Sequence, residues 1–149
     1  EKMSDIDIER FFNVIDIYYC PSRGEGYNVP AAMAARAGIP VIAGQFGGHA
    51  DFLPKEYLLQ GSFSPALGMG AYDSDQFWYN IDELQAIERL RYFVELKREN
   101  PQGFSAKQQQ FRDTVIEKAG PEVFVEKFVE AIKNIFHGNT TLGAGQESI

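Results

Sequence analysis

Apolar residues recur along the chain in two rhythms. Ile8, Phe11, Phe12 and Ile15 return at helical spacing, and Ser4 or Asp5 is placed to cap the helix they predict. The run Ile17-Tyr18-Tyr19-Cys20 has no period and stops at Pro21, as a buried strand would. After a glycine turn, the alanine-rich stretch from Val29 to Ala37 predicts a helix. Pro30 suits its first turn and Gly38 its end. Pro40 to Ala43 predicts a second buried strand. Gly47-Gly48 predicts a turn with a short helix through Phe52, and Glu56 to Leu59 a third strand.

Residues 61 to 80 hold Gly, Ser, Pro, Asp and Tyr in no rhythm and predict a long loop. Asn80 and Glu83 have capping-box spacing, opening a helix that Leu84, Ile87, Leu90 and Val94 carry to about Asn100. Further helices are predicted from Ala106 to Ala119, stopped by Gly120, and from Pro121 to Gly138. The last has an apolar stripe of Phe124, Phe128, Ile132, Ile135 and Phe136. Residues 138 to 149 have little to bury and predict a flexible tail.

This order predicts an α/β fold, a Rossmann-like parallel sheet with flanking helices. Only three strands are visible, whereas doubly wound nucleotide-binding sheets usually have about six. Residues 1 to 137 therefore read as the latter part of such a domain.

Composition removes several classes of function. Fourteen basic against 21 acidic residues leave a net charge of −7, which argues against a broad nucleic-acid or anionic-membrane surface. No apolar run has the length of a transmembrane span, and the first residues lack the marks of a signal peptide. Cys20 is the one cysteine and cannot form an intrachain disulfide, so strand packing and a reducing cytoplasm are expected. Two separated histidines and that cysteine make no metal site.

The chemistry concentrates in PSRGEGYNVPAAMAARAGIP, from Pro21 to Pro40. Strand, glycine turn and helix place the backbone N–H groups of residues 26 to 29 at a helix N-terminus, beyond the carboxyl end of the strand. Open α/β sheets bind ligands there, and such N–H groups favour phosphate. Glu25 would repel a phosphate, so it makes sense against a part of the ligand with hydroxyls to donate. A phosphate beside a polyol points to a sugar phosphate or a nucleotide sugar.

The segment PSRGEGYNVPAAMAARAGIPVIAGQFGG resembles the donor-site segment of group-1 (family 4-like) retaining glycosyltransferases of the GT-B fold. Their pattern is a strand ending in P-S, then E-G-F-G, a second Glu eight residues after the first, and later G-x-P-V-I with a G-G turn. The match runs in order from Asp16 to Phe52. The resemblance implies the C-terminal, donor-binding domain of a two-domain enzyme for glycan biosynthesis. That enzyme would use a nucleotide sugar as co-substrate, with no other cofactor and no metal. The acceptor, a sugar, a lipid-linked sugar or a protein, would lie on an N-terminal domain absent here. The expected location is cytoplasmic, with peripheral membrane contact as an option.

Carried over position by position, the resemblance gives Glu25 the contact to the donor sugar. Gly24, Gly26, Tyr27, Asn28 and Val29 fall in the amide-bearing loop, and Gly47 and Gly48 on the facing turn. Asn28 replaces a common Gly, a change that Asn's tolerance of unusual backbone angles permits. Met33 stands where the second Glu would hold a ribose, and methionine cannot accept those hydroxyls. No basic pair precedes the motif, and Arg23 pairs either with a phosphate or with Glu25. His49 is expected at the surface or at a helix start. Trp78 is expected to anchor the long loop rather than to stack on a sugar. The rival reading is a degenerate, non-catalytic module for sugar-nucleotide binding or assembly, which Met33 favours.

Overall fold

Ser4 opens the first helix. In the computed structural model, which describes residues 4–66 and 75–136, α1 spans Asp5–Val14. The Asp7 amide donates to Ser4 Oγ at 3.3 Å and the Ser4 amide to Asp7 Oδ2 at 3.2 Å, a reciprocal cap. The chain then enters a parallel sheet of β1 (Tyr18–Cys20), β2 (Val41–Gly44) and β3 (Leu58–Leu59), in that spatial order. Tyr18 is in register with Val41, and Ala43 with Leu58. All four residues of β2 are buried, which explains why its sequence is apolar without alternation.

Helix α2 (Val29–Arg36) makes the crossover from β1 to β2. Ala31, Ala34 and Ala35 form its fully buried face, and small side chains let the helix lie close to the sheet. Helix α3 (His49–Phe52) and a 3-10 turn (Lys55–Tyr57) lead into β3. The predicted third strand thus begins at Leu58 rather than Glu56, because Tyr57 still donates to Pro54 O inside the turn.

Three expectations fail between residues 61 and 106. The long loop contains β4 (Gly61–Pro65) and β5 (Phe77–Ile81), paired antiparallel with Phe63 opposite Tyr79. Asn80 is part of β5 and caps nothing. Helix α4 (Glu83–Glu99) is capped by Asp82, whose Oδ1 accepts from the Gln85 amide at 3.0 Å. Helix α5 (Pro101–Ala119) starts five residues before the expected Ala106. The Asn100 amide donates to Leu96 O at 2.8 Å, closing α4, while its Oδ1 accepts from the Gly103 amide at 2.9 Å, opening α5.

The core joins α2 and the sheet to α4 and α5 through Phe52, Leu53, Tyr57, Phe93, Phe104 and Phe111. Helix α6 (Pro121–Phe136) carries the expected stripe, but Phe124, Phe128, Ile132 and Ile135 are exposed. No helix among the described residues is long and apolar enough to cross a membrane. The tail expected at 138 to 149 lies outside the described residues.

Candidate functional site

The glycine turn leaves the carboxyl end of β1 and is held by Asn28. That residue sits in the left-handed region (φ 63°, ψ 66°), a conformation that Asn tolerates better than most residues. Its Oδ1 accepts from the Ala31 amide at 3.2 Å and caps α2, while its Nδ2 donates to Cys20 Sγ at 3.1 Å. One buried side chain therefore ties the end of β1 to the start of α2. Any ligand role of Asn28 falls to its backbone. Among the described residues, the N–H groups of Gly26, Tyr27, Asn28 and Val29 donate to no backbone acceptor.

A second turn closes over the first. The Gly48 amide donates to Gly26 O at 2.7 Å. Gly47 has φ +66°, and a Cβ there would lie 2.8 Å from Glu25 O. A Cβ on Gly48 would lie 2.8 Å from Gly26 O and 3.1 Å from Tyr27 Cα. The two turns are brought together and need glycine at 47 and 48. Gly24 and Gly26 differ: a Cβ on either would meet nothing within 4 Å, and neither has a positive φ. Folding does not require glycine at those two positions. The space above them is open.

Glu25 is half-buried and makes no ion pair among the described residues. Burial raises the Tyr18 phenol above its ordinary value, with Cys20 and then the Glu25 charge adding to the effect. Arg23 does not pair with Glu25. Its Nη2 donates to Asn80 Oδ1, and its guanidinium lies 4.2 Å over the Trp78 ring. Tyr27 and Val29 are exposed beside the turn, with the Tyr27 ring 5.5 Å from Phe52.

The hairpin of β4 and β5 is the part of the site that sequence patterning missed. The Tyr79 amide donates to Arg23 O at 2.9 Å, docking β5 on the glycine turn. Asn80, oriented by its donation to Ser64 Oγ at 2.7 Å, holds Arg23. A cleft of about 590 Å³ opens here, lined by Tyr19, Pro21, Arg23, Asn80, Glu83 and Leu90 among others. An aromatic column of Phe63, Tyr79, Phe46 and His49, with centroids 4.8–5.3 Å apart, runs from the hairpin to the second turn. The run Phe77-Trp78-Tyr79 is the signal that could have marked a strand.

Two other expectations are refined. His49 begins α3, one of its two expected placements, but it is not at the surface. It is 1% exposed, and its Nε2 lies 2.8 Å from Gly44 O, so the ring donates there. Met33 points away from the turn, into a groove lined by Ile8, Phe12 and Arg112 among others, to which no residue of the glycine turn contributes. Among the described residues, no three His, Cys, Asp or Glu side chains converge as metal ligands would. No protein-family model matches the chain, and no curated protein does.

Proposed function

We propose that the glycine turn is the donor site of a nucleotide-sugar-dependent glycosyltransferase of GT-B type, acting with retention and without a metal. The observation that carries this reading is the open backbone at Gly24 and Gly26, where a Cβ would meet nothing within 4 Å, beside amides that donate to no backbone acceptor among the described residues. A diphosphate needs that close approach to a helix N-terminus. The amides of residues 26 to 29 would hold it as the leaving group, and Glu25 would accept from sugar hydroxyls and fix the sugar's orientation. Arg23, held against Trp78 and Asn80, would present positive charge at the rim of the cleft. The acceptor would be bound by a further domain.

Met33 favours a second reading, a module that binds sugar nucleotide weakly or serves assembly. The side chain at the ribose position faces another groove and offers no acceptor.

Calorimetry with a panel of nucleotide sugars tests both. The donor-site reading expects one nucleotide sugar to bind more tightly than its free nucleotide, and Glu25→Gln to weaken that binding by about tenfold or more with the fold unchanged. Equal binding by the variant would remove Glu25 from the site. Binding of the bare nucleotide alone, indifferent to Glu25, would favour the module.

A further inference from the structure

The groove that receives Met33 is a site of its own, lying between α1, α2 and α5. It encloses about 550 Å³, within the range of small-molecule pockets. Ile8, Phe12 and Met33 give it an apolar wall, and Asn13, Arg36 and Arg112 supply polar groups. The arginines stand on different helices. The stem of Arg112 lies over Gly38, where a Cβ would come 3.5 Å from its Cδ, which brings this side chain to the end of α2, and Arg36 lines the same groove.

Arg36 stands in the last turn of α2 and Arg112 lays its stem on Gly38, yet neither guanidinium is neutralised by a described side chain. Among the described residues neither makes an ion pair or a side-chain hydrogen bond, although the chain has 21 acidic residues to 14 basic ones. Nor do they cap α2. The Ala37 amide donates to Met33 O at 3.1 Å, that of Gly38 to Ala35 O at 3.0 Å, and that of Ile39 to Ala34 O at 3.0 Å, which already closes the helix end. No acidic side chain among the described residues lines the groove. Two like charges line one apolar-walled groove in an acidic protein, and no side chain among the described residues pairs with either.

We infer that this groove binds a small amphipathic anion. Its phosphate or carboxylate would be shared by Arg36 and Arg112, and its apolar part would lie on Phe12 and Met33. Arginine pairs suit such a head group because each guanidinium donates two parallel hydrogen bonds. The inference does not rest on the donor-site reading, since no residue of the glycine turn lines the groove. A soluble organic phosphate and a lipid head group present the same chemistry.

Phenyl phosphate is the probe, titrated calorimetrically against inorganic phosphate on the whole chain. Phenyl phosphate is expected to bind the more tightly, and the Arg36→Gln, Arg112→Gln double variant to weaken it by about tenfold or more. Both arginines are exposed, so circular dichroism should show that variant folded. Met33→Glu gives an independent check. Its carboxylate would occupy the two guanidiniums from within, abolishing phenyl phosphate binding in a folded protein. Vesicles of phosphatidylcholine containing phosphatidic acid separate the sources: binding to them that the arginine variant loses assigns a lipid, and binding to phenyl phosphate alone assigns a soluble ligand. Absence of saturable binding by the wild type overturns the inference, as does equal binding by wild type and double variant.

Discussion

The Gly48 amide donates to the Gly26 carbonyl at 2.7 Å, so the turn after β1 and the turn after β2 are one construction. Neighbouring parallel strands end side by side, and their following loops must either splay or interlock. Here they interlock, because residues 47 and 48 have no side chains to hold the backbones apart.

The four glycines of this construction should therefore fall into two classes. Gly47→Ala puts a Cβ on a left-handed residue and against Glu25 O, and is expected to cost about 2–4 kcal/mol of stability. Gly26→Ala adds its methyl to open space and should stay within about 0.5 kcal/mol of the wild type. That same methyl stands where a diphosphate would approach, so nucleotide-sugar binding should fall by about tenfold or more. Urea denaturation and calorimetry on both variants read the two effects separately. A large loss of stability in Gly26→Ala would show that the fold does need this glycine.

Asn28 does two jobs that different replacements separate. Asn28→Ala removes the cap of α2 and leaves a side chain in the left-handed region, for an expected loss of about 2–3 kcal/mol. Asn28→Gly loses the cap and the bond to Cys20 but adopts the backbone freely, and should lose about 1 kcal/mol. Chemical denaturation should rank Gly above Ala. The reverse order would mean that the left-handed conformation is not what selects this residue.

Much of the local structure around the glycine turn was legible because its code is local. Pro30 at the start of α2 and Gly38 at its end (φ +81°) act through their own backbones, and both are in place. The glycine pair at 47 and 48 was also legible as a turn. What it touches was not, since that depends on the strand order. The hairpin was missed for a related reason. β4 reads Gly-Ser-Phe-Ser-Pro, with four of its five residues exposed, and so has no buried face to set a rhythm. The capping residues near 82 and 100 were misread because Asn80-x-x-Glu83 overlaps Asp82-x-x-Gln85, and because Asn100 serves two helices at once. His49 begins a helix, as one of its expected placements had it, but its burial was not legible because its partner, Gly44 O, is a strand-end carbonyl that no pattern reveals.

A third prediction concerns alkaline pH. Tyr57 is buried against Phe111 and Phe93, with ring centroids at 4.6 Å and 5.6 Å. Burial, reinforced by the charge of Glu56, pushes its phenol up from 10.0 to about 12. A group whose pKa is raised on folding contributes its stability fully below the unfolded value and loses it as pH rises through the folded one. Stability should therefore hold up to about pH 10 and fall between about pH 10 and 12 as the unfolded chain ionises first. Tyr57→Phe should match the wild type at neutral pH and lose less stability at about pH 11. Urea midpoints measured at the two pH values provide the check, and equal losses would acquit this phenol.

The placement of Trp78 has an optical consequence. It is the one tryptophan of the chain, and it lies beneath the Arg23 guanidinium at the edge of the cleft. Light absorbed beyond the tyrosine band is therefore emitted from a single known place, one side chain away from the glycine turn. Anything that draws Arg23 off the indole changes the field across that ring and so the colour and yield of its emission. The protein carries its own lamp at the mouth of the cleft, with no label to attach.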